Sequence, residues 1–225
     1  MEDGGFAGRP VLVFGGGGAL GSGVAAAFAA AGASVTAVDK ALPRDDRRLA
    51  GVRYQAADVL DDDSLRTLFD SGPVPWAVLN TVGGYAGQRP LADLDLAELT
   101  GQIQLNLVTA ALITKHALRV MQSAGEGRIV HTASRAGVVS QGSGFAYSVS
   151  KAGVLHLVSM AADEVRGTGV TVNCVVPSII DTPANRAAIP DADHDAWPKV
   201  ADIARSYVYL ASPQAALVNG AAVPV

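Results

Sequence analysis

The 225-residue chain has a single cysteine, Cys174, so no intrachain disulfide can form, and a reducing, cytoplasmic setting is the expectation. Cys174 stands in the apolar run 170–176 and reads as a buried strand residue, not a nucleophile. Charge is scarce too. Charged residues make up 17% of the chain and the net charge is −4, so no basic field draws in nucleic acid or an anionic membrane. The first ten residues lack an apolar signal-peptide core. The long apolar run 105–120 is interrupted by Asn106, Lys115, His116 and Arg119, so no stretch reads as a membrane span. His116, His131, His156 and His194 are scattered without ligand spacing to carboxylates or to Cys174, and no metal site is expected. No repeat, low-complexity tract or linker marks a second domain.

What is present is ample apolar content, 49% of residues, and a glycine-rich stretch that organises the rest. Val11-Leu-Val-Phe14 ends abruptly in Gly15, Gly16, Gly17 and Gly18, and Ala19, Leu20, Gly21 and an alanine-rich run follow. That pattern is strand, tight turn, helix. Gly16, Gly18 and Gly21 fit G-x-G-x-x-G, and Gly15, Ala19 and Gly21 fit a longer frame with alanine at its middle place. Either frame lets backbone N–H groups approach a pyrophosphate at a helix N-terminus. Asp39 ends the next apolar run, 18 residues after Gly21, where a carboxylate can accept from a ribose 2′-hydroxyl.

Further strands are expected at 52–56, 76–80, 127–133, 170–176 and 221–225, and helices at 61–69, 95–123, 145–166 and 200–210. The long segment 95–123 is either unbroken or interrupted near Gly101. Asp61, Asp62 and Asp63 suit the positive end of their helix better than a metal. Residues 177–198 hold four prolines with little periodicity and read as a long loop or lid. Alternating strands and helices predict an α/β fold: a single doubly wound, Rossmann-type parallel sheet with helices on both faces, in one domain spanning 1–225. Asp58 would then lie at a strand's C-terminal end, where such sheets place ligands.

Tyr147 and Lys151 are four residues apart on a helix and share one face. An ammonium within roughly 4–6 Å of a phenol favours phenolate, which makes Tyr147 a candidate general acid and base. Ser134 directly follows a strand, where its hydroxyl could share a substrate oxygen with Tyr147.

Gly15…Ala19…Gly21, Asn80-Thr-Val-Gly83, Asn106, Ser134, Tyr147-Ser-Val-Ser-Lys151 and Pro177-Ser-Ile-Ile-Asp-Thr182 occur in one order and register. The whole chain thereby resembles the short-chain dehydrogenase/reductase family. The resemblance implies an NAD(P)-dependent hydride transfer to or from a small organic molecule. It implies that Tyr147 exchanges the proton, Ser134 orients the reacting group, and Lys151 binds the nicotinamide ribose and lowers the Tyr147 pKa. Asn106 would hold a water linking Lys151 to solvent. The cofactor would be bordered by Gly15, Gly17, Gly18, Ala19, Leu20, Gly21, Asp39, Asp58, Val59, Asn80, Val82, Gly83, Pro177, Ile180 and Thr182. Ala19 departs from the usual middle glycine, and Ser178 stands where glycine is common. Asp39 favours NAD(H), while nearby Lys40 and Arg44 leave room for NADP(H). The two long helical segments, through Ala110, Ala111, Leu112, Ala117, Ala152, Val154, Leu155 and Ala161, would support a homodimer or homotetramer.

A narrower resemblance lies within this one. Residues 14–22, 83–87 and the lid residues Asp181-Thr-Pro183, Asn185-Arg186, Pro190, Ala192-Asp193 and Trp197 are similar to the quinonoid dihydropteridine reductases. It implies a flat conjugated acceptor, with Tyr85, Asn185 and Trp197 as substrate residues, though a lone Trp after a loop equally fits an anchor to the body. Ser134 leans the other way, toward a carbonyl, because the pteridine enzymes have no serine there. The alternatives to that acceptor are a carbonyl reductase or alcohol dehydrogenase and a non-catalytic dinucleotide-binding regulator. A structural or interaction role has no support beyond self-association.

Overall fold

A computed structural model describes residues 5–86, 90–139 and 144–225. Seven parallel strands form one sheet in the order β3-β2-β1-β4-β5-β6-β7: β1 Pro10–Phe14, β2 Ser34–Asp39, β3 Arg53–Ala56, β4 Ala77–Asn80, β5 Gly127–Thr132, β6 Val170–Val176 and β7 Ala222–Pro224. The central strands read as continuous apolar runs because both faces are covered; every residue of β6 is buried.

One face packs on α1 (Ala19–Ala30) and α7 (Val200–Ala211), joining Val11, Val13 and Val24 to Phe28, Ile203 and Tyr207. The other carries α2 (Asp62–Asp70), the long helical run that begins with α3 (Leu96–Gln102) and continues as α4 (Thr109–Ala124), and α5 (Phe145–Glu164). Here Phe14, Leu65 and Phe69 meet Ile113, Met121, Val154 and Val158. The expected acidic helix start is real: Asp61 caps α2 by accepting from the backbone N–H groups of Asp63 and Ser64. Asp62 instead reaches across to Lys115 and His116 of α4. By length and composition alone the continuous run Leu96–Ala124 could cross a membrane. Its Ala110, Ile113, Ala117 and Met121 are spent on the core of this sheet.

Two expectations need correction. The long helix is not interrupted at Gly101, which sits inside α3; the irregularity is a π-helical segment, Ile103–Val108, between α3 and α4. Residues 177–198 are not one irregular loop, because Pro183–Ala188 forms α6 and His194–Ala196 a 3-10 turn. Thr182 caps α6 by accepting from the Asn185 N–H, and Pro183 occupies the first turn, where its missing N–H costs nothing. A six-residue helix has too few turns to print a periodicity in the sequence.

Candidate active site

The turn after β1 leaves no room for a side chain at Gly16 and Gly21. A Cβ on Gly21 would lie 2.1 Å from the Gly15 carbonyl oxygen, and one on Gly16 2.6 Å from the Ala37 Cβ. Gly15 adopts φ +76°, a left-handed conformation that favours glycine. Gly18 precedes α1 with no side-chain cap, and Ala19 and Leu20 open the helix. The first-turn N–H groups of α1 are thus left for an anion, and the bare turn lets one approach. The Asp39 carboxylate accepts from the Gly17 N–H at 3.1 Å and from the Lys40 N–H at 2.8 Å. Lys40 in turn pairs with Asp58 at 2.8 Å, and Lys40 together with the Leu60 N–H holds the Asp58 carboxyl below its usual range. Val59 follows beside the core of the α2 face. The cradle therefore has the shape and polarity a dinucleotide needs.

Beside it, at the C-terminal end of β4, Asn80 is fixed from both ends of its amide. Its Oδ1 accepts from the Val82 N–H at 3.0 Å, and its Nδ2 meets His131 Nδ1 at 3.1 Å. The next glycine brings three elements together: a Cβ on Gly83 would fall 2.7 Å from Asn106 Oδ1 and 2.9 Å from Lys151 Nζ. Asn106, buried in the π-helical segment, accepts from the Gly84 N–H and donates to the Gly84 carbonyl, Gln102 and Ser150. π-Helical segments often mark functional positions, and here the widened turn delivers an amide to the β4 loop.

Ser134 follows β5, where its Oγ accepts from the Ala136 N–H, and its turn rests on α5: a Cβ on Gly137 would lie 2.7 Å from the Ala152 nitrogen. Tyr147, in the first turn of α5, has its phenol pushed above the usual value by burial, an effect that the Ser134 hydroxyl opposes and Tyr85 increases. Lys151 does not supply the expected lowering. Its Nζ stands 6.0 Å from the Tyr147 ring centre and donates to the Thr132 carbonyl at 2.9 Å, while burial pulls its own pKa down to about 8. Tyr85 meets the Tyr147 ring edge-on, 5.0 Å between centres. Gly87, the last residue of that loop's motif, lies outside the described residues.

The remaining site residues, within 177–198, divide. The Pro177 carbonyl accepts from the Arg135 N–H, tying the start of this segment to the Ser134 turn. The Ile180 carbonyl accepts from Asn185 Nδ2 at 2.8 Å, so the Asn185 amide serves the segment's own fold. Trp197 packs against His194 at 4.6 Å between ring centres. Asp181, whose side chain is 12% exposed, holds both Arg186 and Lys199. Sequence reasoning missed Thr132, Gln102 and Ser150 as partners of the central residues; only Gln102, four residues before Asn106, left a readable spacing. Cys174 is buried, its thiol pushed up to about 12 by burial. His131 is also buried and bonds to Asn80 and Thr114. A groove of about 540 Å³ containing Arg53 and Gln55 lies at the N-terminal ends of β1–β3, the far end of the sheet, and includes none of these groups.

Residues 9–193 match the short chain dehydrogenase family. The chain is 35% identical to the cis-4-hydroxycyclohexanecarboxylate dehydrogenase of Sinomonas cyclohexanicum, covering 98% of this chain and 96% of that protein. It is 30% identical to the D-threitol dehydrogenase of Mycolicibacterium smegmatis, covering 95% and 90%. Among solved structures, a short-chain type dehydrogenase/reductase from Mycobacterium ulcerans superposes with a TM-score of 0.89 at 29% identity, over 98% of this chain and 89% of that one.

Proposed function

The chain belongs to the short-chain dehydrogenase/reductase family of oxidoreductases, and from that premise we propose that it interconverts a small secondary alcohol and its ketone, using NAD(H) in preference to NADP(H). Enzymes of this family use NAD or NADP. The observation that carries the reading is the meeting of Tyr147 with buried Lys151, whose Nζ lies 6.0 Å from the Tyr147 ring centre, beside the Ser134 turn at the end of β5. A carbonyl oxygen placed between the two hydroxyls receives a hydrogen bond from Ser134 and a proton from Tyr147. Burial keeps Tyr147 protonated at neutral pH, the form a ketone reduction requires. In the oxidising direction Tyr147 takes the alcohol proton, and the Ser134 hydroxyl favours the phenolate that does so. When bound, the nicotinamide accepts or supplies the hydride at the carbon. Lys151 and Asn106 serve the nicotinamide ribose side, where Gly83 leaves room, and Asn80, Val82, Pro177, Ile180 and Thr182 border it. The glycine turn holds the pyrophosphate. Asp39 accepts from the adenosine ribose and repels a 2′-phosphate. The named substrates of the relatives, a hydroxycyclohexane carboxylate and threitol, support an alcohol.

A second reading takes a quinonoid dihydropterin as the acceptor. Tyr85, edge-on to Tyr147 at the mouth of the site, favours it by offering an aromatic face to a flat ring. Ser134 favours the ketone. Steady-state assays with both dinucleotides against cyclic ketones, secondary alcohols, polyols and quinonoid dihydropterin separate the two. We expect turnover with a ketone or secondary alcohol, and a loss of about 10²–10⁴-fold in kcat for Tyr147→Phe. Turnover confined to the dihydropterin selects the second reading. Dinucleotide binding without turnover on any acceptor selects the regulator and overturns both.

Residues 1–225 are proposed to act as one domain with 177–198 as its substrate lid, in a homodimer or homotetramer. Of the residues expected to carry it, Ala110, Ala117, Val154 and Ala161 are buried in this chain's own core, and exposed Leu105, Val108, Val149 and Met160 on the long helices support that assembly instead. A monomer in sedimentation at micromolar concentration overturns it. The single cysteine, buried in β6, supports a cytoplasmic setting.

A further inference from the structure

Asp39 is followed at once by a lysine, so the end of β2 carries two opposite instructions for a nucleotide. The carboxylate repels a 2′-phosphate, and an ammonium one residue on would attract it. The β2–β3 register sets Asp39 beside Ala56, so the segment after β3 emerges next to the Asp39 carboxylate. There the Ala57 N–H donates to the Asp39 carbonyl at 2.9 Å, and Asp58 takes Lys40 Nζ on its Oδ2 at 2.8 Å while its Oδ1 accepts from the Leu60 N–H at 3.0 Å. Asp58 is the only ion-pair partner of Lys40 among the described residues. We propose that Asp58 is a specificity-determining residue that withholds Lys40 from the ribose 2′-position and so turns a mixed signal into a preference for NAD(H). This deepens the dinucleotide reading above and rests on it.

The physical argument is one of competing anions. The Lys40 side chain is 77% exposed and free to swing, so in the absence of Asp58 it could neutralise a 2′-phosphate beside Asp39. With Asp58 anchored by a backbone N–H, Lys40 already has a fixed carboxylate and is not drawn to a phosphate. The pair is solvent-exposed, so its effect is modest.

The test is equilibrium binding of NAD⁺ and NADP⁺ by calorimetry to the wild-type protein, Asp58→Asn, Lys40→Met and the double variant, at low and at high salt. Wild type is expected to bind NAD⁺ more tightly, and Lys40→Met to leave the ratio of the two affinities within about twofold, because Lys40 is not used. Asp58→Asn should shift the ratio toward NADP⁺ by about three- to tenfold at low salt, less at high salt, and adding Lys40→Met should abolish that shift. A shift that survives in the double variant means Asp58 acts by simple repulsion, and a marked change of ratio in Lys40→Met alone means Lys40 already serves the phosphate. Either overturns the proposal, as does an Asp58→Asn that weakens both nucleotides equally. If wild type binds neither nucleotide, the dinucleotide reading itself falls.

Discussion

The Lys151 ammonium donates to the Thr132 carbonyl oxygen at 2.9 Å, binding α5 to the last residue of β5. Thr132 is itself held by its hydroxyl, which donates to the Asn80 carbonyl at 2.7 Å and meets the Tyr207 hydroxyl. Lys151 is therefore a buried cation whose fixed partner is a neutral carbonyl. No carboxylate offsets the loss of water around it among the described residues.

That arrangement costs stability. The pKa of Lys151 falls from 10.5 to about 8 through burial, so the unfolded state holds the proton more tightly than the folded one. At pH 7 the penalty is roughly 3 kcal/mol at most. Lys151→Met is expected to raise the thermal midpoint at pH 7 while reducing turnover and dinucleotide affinity. Because the folded wild type sheds its proton above pH 8, the wild type should regain stability relative to the variant between pH 8 and 10.5. A variant less stable than wild type at pH 7 would refute this.

Much of this site could be read from the chain before the fold was known. The glycine turn and the Tyr147–Lys151 spacing are local in sequence, so their geometry follows from strand, turn and helix rules. The sign of the Tyr147 shift was not legible, since it depends on burial set by the whole domain and on how far Lys151 leans toward Thr132. The Asn106–Ser150 contact spans 44 residues and needs a π-helical segment that no periodicity announces. Thr132 acts through a carbonyl oxygen, which every residue has, so its identity carries no signal.

Two glycines should respond in opposite ways to alanine. At Gly21 the new Cβ meets the Gly15 carbonyl oxygen at 2.1 Å and Thr81 Oγ1 at 2.7 Å, so α1 must retreat from the turn. We expect a loss of about 1–3 kcal/mol, the usual cost of overpacking, together with failure to bind dinucleotide. Gly101 lies inside α3 with nothing within 4 Å of its added Cβ. Gly101→Ala should stabilise by up to about 1 kcal/mol through helix propensity. Urea unfolding and dinucleotide titration of both variants decide the matter.

Residues 181–199 are held together by Asp181, which takes Arg186 on both carboxylate oxygens and Lys199 on Oδ2 at 2.8 Å; Lys199 also donates to the His194 carbonyl. The two cations hold the Asp181 carboxyl well below the usual carboxylate range, so it stays charged throughout pH 5–8. Asp181→Asn should lower the thermal midpoint modestly at pH 7, speed tryptic cleavage after Arg186 and Lys199 severalfold, and raise KM more than it lowers kcat. Cleavage at the wild-type rate would show that Asp181 does not hold this segment.

His131 supplies the sharpest dependence on pH. Its ring is fully buried: Nδ1 accepts from Asn80 Nδ2, and Nε2–H donates to Thr114 Oγ1, whose own proton goes to the Ala110 carbonyl. With both nitrogens committed there is no place for a second proton, and burial, aided by the Lys151 charge, draws the pKa from 6.5 to about 4. The folded state thus keeps a neutral ring while the unfolded chain protonates, and stability present above pH 6.5 is lost as pH falls toward 4. At pH 5 the loss is about 2 kcal/mol. His131→Gln should be less stable than wild type at pH 7, because the amide cannot reproduce both ring contacts, yet should lose much less on going to pH 5. The urea midpoints of the two proteins at pH 7 and pH 5 measure the difference. An equal drop in both proteins would mean that acid sensitivity arises elsewhere. A smaller drop in the variant assigns it to the ring that holds Asn80, and through Asn80 the loop at Val82 and Gly83.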